Sequence, residues 1–427
     1  MKQLLLLLLL SLLVFVNTTN SFAFEEKFIN ENKIFDPNIK TVVFYKSGKI
    51  NTFPIIDINN LQETLTLSFD DLGGGYKELM YSFVHCTSNW EKSNLFVDDY
   101  LQGNRYGYIE NYEFSTNTYQ DFTNYWVVIP SENMKITLSG NYLLKVYFAE
   151  DEDSVLLTRR FYVVNQKIKI QADLKEPTYA KYQDTKQEID FTIDFTNLNV
   201  MNPVKDISVV LRQNKRWDNQ ITDLKPMYIN NNKLIYDYEE ENLFWGNSEW
   251  RFVDMRSIRY PGRGVNKLKF DSLYHVYLLV DEDRSHLTYA EWMDLNGDRI
   301  IAGDEKGLKP NEIDYVFAHF KLTTPYPDDG KDVYLFGDLT DWEINEDFKL
   351  HYDASRKIYF TQVKVKQGYY NYFYVIKDNE TSTIDCTRFQ GSHFETENDY
   401  RIFVYARSQF FNTDELIGYV VLNTKEE

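Results

Sequence analysis

Apolar and polar residues alternate with a period of two over short runs along most of the chain. Thr41–Tyr45, Leu65–Asp70, Lys77–Cys86, Tyr125–Ile129, Tyr142–Phe148 and Leu156–Val164 show this alternation or form β-rich apolar runs, separated by Gly, Asn, Asp and Ser clusters. That spacing turns one face of an extended chain toward a core and the other toward water. About seven such strands in about 140 residues predict an antiparallel sandwich over residues 24–165. The pattern restarts near Lys167–Ile170, and strands at Glu188–Phe195, Ile207–Arg212, Lys233–Tyr238, Tyr274–Val280 and Tyr315–Leu322 predict a second β-rich sandwich over 166–322. The turn-rich Pro325–Gly330 opens a third block, 323–427, with strands at Val333–Phe336, Ile358–Phe360 and Gln367–Val375. The expected fold class is all-β, with three tandem antiparallel β-sandwich domains.

Several turns carry sharper expectations. Gly73-Gly74-Gly75 reads as a flexible hairpin turn, because no Lys-Ser/Thr follows it as a phosphate loop requires. Asn296-Gly297, between strand-like Tyr289–Met293 and Arg299–Ile301, is the strongest short hairpin signal. The same segment places Asp294, Asn296, Asp298 and Glu305 at positions 1, 3, 5 and 12 of a calcium loop, but Arg299 occupies the sixth position, where the sharp turn needs Gly. The hairpin is the preferred reading and calcium the lesser one. Glu150–Asp153 and Asp281–Asp283 each follow a Val-Tyr strand and precede a Leu-Thr strand, which predicts a shared hairpin plan with solvated acidic tips. The connection between Tyr81–Cys86 and Tyr142–Phe148 is long, aromatic and polar, and predicts an ordered surface projecting from the first sandwich.

Composition narrows the function classes. A formal charge of −19 makes nucleic acid a poor partner, because its phosphates would be repelled. Residues 1–23 combine Lys2, the apolar Leu4–Val16 and a small-x-small Ser21-Phe22-Ala23, which predicts a secretory signal peptide and a mature chain with no transmembrane segment. The two cysteines, Cys86 and Cys386, read as buried thiols on separate strands. Arg251 and Arg256, in Glu249–Arg256, are expected to pair with carboxylates such as Asp254.

No catalytic constellation emerges. The six histidines are dispersed, and the chain has no HExxH, GxSxG or Walker loop, so neither an enzyme nor a cofactor is expected. In the third block, Val333–Gly337, then Trp342, then Gly368–Val375 resemble an early-set, glycogen-binding type of sandwich. In such modules a Trp stacks on sugars, so Trp342 and Tyr370 are candidate glycan contacts for an alternative reading as a secreted glycan-binding protein.

A resemblance spans the mature chain. His85-Cys86 with Trp90, Tyr100–Gly103, Ser115–Thr118, Asn124-Tyr125, Pro130 and Ser139–Tyr142 come first. Glu249–Arg251 with Asp254 and Arg256-Ser257, Asp294–Gly297, Asp314–Val316, Phe336-Gly337 to Trp342, Gln367–Tyr370 and Gly391–Tyr400 follow in order. Together they resemble the type IX secretion system plug protein family, with local departures such as Ser248-Glu249-Trp250 where the family more often has Asn-Glu-Phe. The resemblance implies a non-enzymatic periplasmic protein at the inner side of the outer membrane. It would seal a large outer-membrane β-barrel translocon when no substrate passes. Trp90, Asp98, Asp99, Tyr100, Arg251 and Arg256 are the candidate partner-binding residues under that implication.

Overall fold

The structure, a computed structural model, describes residues 28–328 and 330–425. The expected leader, residues 1–23, lies outside the described residues. Strands make up nearly all the regular structure, and the fold is all-β as the period-two pattern predicts.

The first unit is a sandwich. A four-stranded sheet (Ile39–Lys46, Leu65–Asp71, Thr123–Ile129, Asn111–Phe114) faces a six-stranded sheet built on Asp151–Val164, Gly140–Phe148 and Leu79–Cys86. Leu65, Leu67 and Phe69 alternate into its core beside Tyr125, Tyr142, Leu144 and Phe161. The glycine triplet is a turn, but not of a hairpin. Leu65–Asp71 and Leu79–Cys86 belong to different sheets, and Gly74 and Gly75, at φ +65° and +72°, carry the chain between layers through the left-handed region that glycine enters freely.

The second core lies between two sheets. One contains Lys169–Lys175, Lys186–Asp194, Lys233–Tyr236 and Tyr228–Asn230; the other is Ile207–Gln213, Asp399–Arg407 and Asp414–Asn423. The third core sits within a larger sheet that includes Arg251–Asp254, Tyr315–Thr323, Lys331–Phe336, Ile358–Lys366 and Gly368–Asp378. Strand pairing therefore divides the chain differently from the expected 166–322 and 323–427. Tyr315–Thr323 pairs along its whole length with Ile358–Lys366, and the C-terminal hairpin returns to complete the second sandwich against Ile207–Gln213. Each strand needs a neighbour for its backbone polar groups, and sequence separation does not limit which neighbour it finds. The two acidic turns also diverge. Gly140–Phe148 and Asp151–Val164 form the expected hairpin, whereas Leu273–Leu278 pairs with Val265–Asp271 before it and runs parallel to Tyr315–Thr323.

Buried polar contacts join the units. Asp70 lies on the outer side of the four-stranded sheet, yet it is buried because the third unit covers it. Its carboxylate accepts from Lys366 Nζ at 2.6 Å, Tyr315 Oη at 2.6 Å and Asn124 Nδ2 at 2.8 Å. Burial pushes the Lys366 pKa down, and Asp70 opposes that shift. Nearby, Arg159 pairs with Asp341 at 2.7 Å, and Arg299 Nη2 donates to the Val42 carbonyl at 2.8 Å. The first and second units share an apolar cluster of Phe53, Trp90, Tyr162, Phe403 and Tyr405. There, Trp217 lies between the guanidinium groups of Arg160 and Arg212, 4.3 and 3.5 Å from its ring centre.

Asn296 and Gly297 have φ of +50° and +89°, as the dipeptide predicts, but Tyr289–Met293 is not a strand, so no hairpin forms. Instead, Asn371 Oδ1 accepts from Leu295 N at 2.6 Å, and Arg299–Ile301 joins the third sheet beside Gly368–Tyr370. The turn packs under two indoles. A Cβ on Gly297 would stand 2.4 Å from the Trp342 ring and 2.7 Å from Trp250.

Replacing Asp70 with Asn removes the countercharge of a fully buried ammonium, so Asp70→Asn is expected to cost about 3–5 kcal/mol in urea unfolding. Gly297→Ala combines a left-handed backbone with an overlap against packed indoles. It is expected to cost about 3 kcal/mol or more in the same measurement.

Candidate partner-binding surface

The signature stretch of the first unit is largely structural. His85 is buried, with Nε2 3.4 Å from the Ser139 carbonyl and its ring edge-on to Tyr142 at 5.0 Å. Burial holds its pKa down at about 4. Cys86 and Cys386 are free, buried thiols whose pKa burial pushes up to about 12, far from the thiolate that reactive cysteines need.

Three of the six candidate partner residues are inside the molecule. Trp90, 5% exposed, sits edge-on to Tyr162 and Trp217 at 5.2 and 5.6 Å. Tyr100, 4% exposed, donates its hydroxyl to the Phe83 carbonyl at 3.0 Å. Arg251 is buried against Asp281 at 3.0 Å and also donates to Gln390 and the Glu282 carbonyl. The other three reach the surface already engaged. Asp98 is exposed and pairs with Arg105 at 2.9 Å. Asp99 accepts from Phe96 N at 2.8 Å at the start of the short helix Val97–Tyr100. Arg256 forms two hydrogen bonds with Asp254, at 2.9 and 2.6 Å. The pairing expected of both arginines is present, with Asp281 rather than Asp254 as the partner of Arg251.

Asp281 also accepts from the hydroxyls of Tyr372 and Tyr374, each at 2.8 Å. In that second acidic turn Asp281 and Asp283 are thus partly buried and paired, while Glu282 stays exposed. The glycan candidates are core residues too. Trp342, 4% exposed, packs edge-on to Trp250 at 5.4 Å, and Tyr370, 2% exposed, donates to the Lys366 carbonyl. Neither presents a ring face for a sugar to stack on.

Three of the four calcium-loop side chains are engaged with other partners, and Asn296 Oδ1 is buried without one. Asp294 accepts from the backbone N–H groups of Trp250 and, at 2.6 Å, Asn296; burial raises its pKa to about 7 despite both donors. Asp298 takes Lys215 at 2.7 Å, and exposed Glu305 pairs with Arg259. Arg299, the residue that broke the loop pattern, instead ties the third unit to Val42 of the first.

Within the long connection expected to present an ordered surface, sequence reading did not single out a set of exposed aromatic residues at the sheet edges of the first unit. Tyr106–Tyr108 pairs with Leu79–Cys86 at the edge of one sheet, and Asn111–Phe114 pairs with Thr123–Ile129 at the edge of the other. Tyr106, Tyr108, Tyr112 and Phe114 are 51, 49, 37 and 52% exposed. Tyr112 lies 4.9 Å from Tyr76, which is also exposed, and 5.5 Å from Phe114. Gly107 permits the arrangement, because a Cβ there would stand 2.6 Å from the Tyr81 ring beneath it. The signal lay in Tyr106-Gly107-Tyr108 and Tyr112-Glu113-Phe114, aromatic at every second position, which puts both rings of each pair on one face.

A family model described as the type 9 secretion system plug protein 1st domain matches residues 39–165, the extent of the first sandwich. No curated protein matches the sequence. A crystal structure of a hypothetical protein from Parabacteroides merdae superposes with a TM-score of 0.89 at 30% identity, covering 93% of this chain and 100% of that one. A reconstruction of Escherichia coli alpha-2-macroglobulin, 11% identical, covers 92% of this chain and 23% of that one with a TM-score of 0.17. Among the described residues, no helix is long and apolar enough to cross a membrane. With the plug-domain model lying on the first sandwich, residues 39–165 belong to the type 9 secretion system plug protein 1st domain family.

Proposed function

We propose that the protein is a non-enzymatic periplasmic plug. After removal of its leader, it binds the periplasmic mouth of the outer-membrane β-barrel translocon and closes it between transport events. The match of the plug-domain model to residues 39–165 carries this reading. Two features support it. A stopper must keep its shape against a wide pore, and buried contacts such as Asp70 with Lys366 hold the units in one arrangement. A docking face also needs anchors, and exposed aromatic side chains supply contact area at low entropic cost. Tyr106, Tyr108, Tyr112 and Phe114 are therefore assigned to the contact, with Asp98 at its charged margin. Such surface charges contribute mainly to encounter and register.

Affinity purification of the tagged chain from detergent-solubilised outer membranes is expected to recover a very large β-barrel protein. In a Tyr112→Ala/Phe114→Ala double variant, recovery falls about tenfold or more, in line with the loss of central aromatic anchors, while the thermal midpoint changes little. Charge reversal at Asp98 and Asp99 slows capture without abolishing it. Absence of any barrel, together with retention on a polysaccharide column, would overturn the plug reading in favour of glycan binding.

A further inference from the structure

A group of carboxylates in the second unit has no part in the contacts above. Glu188 and Asp190 lie on strand Lys186–Asp194, where Ile189, Phe191 and Ile193 enter the core and leave the intervening positions on the opposite face. Asp237 follows strand Lys233–Tyr236 directly. Oxygens of the three carboxylates all lie within 4.8 Å of one another. Oxygen ligands held 2.3–2.6 Å from one calcium ion can be no more than about 5 Å apart, so the spacing suits a shared ion.

Carboxylates this close repel one another unless a cation or a shared proton lies between them. Glu188 is only 4% exposed; the Thr178 backbone N–H serves it, and its Oε2 has no partner. Asn242 is fully buried, with Nδ2 donating to the Ile189 carbonyl at 2.8 Å and to Asp190 Oδ1 at 3.1 Å, and its Oδ1 is also unpartnered. In the register of the neighbouring strand, Lys175 stands opposite Glu188 and Asp173 opposite Asp190, so these two positions add no net charge beside the cluster. Burial, and then Asp237 and Glu188, raise the Asp190 pKa to about 7.

We propose that Glu188, Asp190 and Asp237 form a binding site for a hard divalent cation of the calcium class. The ligand set is all oxygen, and neither thiol nor imidazole is present to favour a softer metal. The ion would act as a staple. Strand Lys186–Asp194 pairs with Lys233–Tyr236 along one part and with Leu243–Trp245 along another, and the proposed ligands sit where the chain leaves the first partner and returns as the second. Calcium would hold that connection to the strand it spans.

The test uses the full chain after exchange into EDTA and then calcium-free buffer. Calcium chloride is expected to raise the thermal midpoint, since an ion that binds only the folded state stabilises it by mass action. Terbium luminescence should saturate and be displaced by calcium. Asp237→Asn changes an exposed carboxylate, so the fold is retained, and binding weakens about tenfold or more, the scale expected when a ligand charge is lost. Asp190→Asn, if it also folds, does the same, whereas Glu305→Gln leaves binding unchanged. A midpoint unmoved by millimolar calcium, an equal response to sodium at matched ionic strength, or wild-type affinity in Asp237→Asn would overturn the proposal.

Discussion

The contact between Asp70 and Lys366 constrains the molecule more than any other. Both side chains are 1% exposed, so each has lost its water, and removing charge from water costs several kcal/mol per ion. Such a pair contributes little net stability compared with a well-packed apolar substitute. Its value lies in what it forbids. Any docking of the first unit on the third that separates the two groups leaves a bare charge in a dry interface. Tyr315 adds direction, because its hydroxyl meets Asp70 and lies 2.6 Å from Thr41 Oγ1, on the neighbouring strand of the same sheet. One arrangement satisfies all these groups together.

The remaining junctions follow the same rule with different chemistry. Arg299 reaches into the first unit for a single carbonyl, and Arg159 returns the contact toward Asp341. Between the first and second units the contact is aromatic, with Trp217 stacked between two guanidinium groups and Trp90 edge-on beside it. Flat guanidinium groups stack on indoles while their edges still donate. Arg212 does both, reaching Tyr162 Oη at 2.9 Å. Interfaces between domains of one chain are commonly small, polar and mobile. Here each joint includes a buried polar group whose partners belong to another unit, so loosening one joint strands donors and acceptors rather than merely exposing apolar surface.

Much of the fold was legible in the sequence. Period-two alternation located the main strands, including Leu65–Asp71 and Tyr315–Thr323, because a half-buried strand writes its burial directly into residue order. Partnership was not legible. Nothing local in Ile207–Gln213 says that it will pair with Asp399–Arg407, and the three glycines at 73–75 look the same whether the chain turns within a sheet or crosses to the next. The proposed contact surface was the hardest to read. Trp90, Tyr100 and Trp342 drew attention as aromatic residues outside the main strands, but a loop covered by other parts of the chain is core, and that cover comes from residues distant in sequence, such as Trp217 beside Trp90 and Trp250 beside Trp342. Conversely, Tyr106 and Phe114 were not distinguished within the long aromatic connection, because the absence of a neighbouring strand on one side is a property of the assembled sheet.

Exposed aromatic residues on two edge strands would ordinarily invite self-association, since an edge offers both unpaired backbone groups and sticky side chains. Two properties oppose it. The strands are short, Tyr106–Tyr108 and Asn111–Phe114, and charged Arg105, Glu110 and Glu113 flank or interrupt them, so no long flat template is available. The formal charge of −19 also makes two copies repel at distance. That repulsion applies to like molecules and not to a partner with a neutral or basic rim. Local stickiness under a global negative charge therefore favours a different surface over a second copy of the same chain, which is the selectivity that the proposed plug role would require.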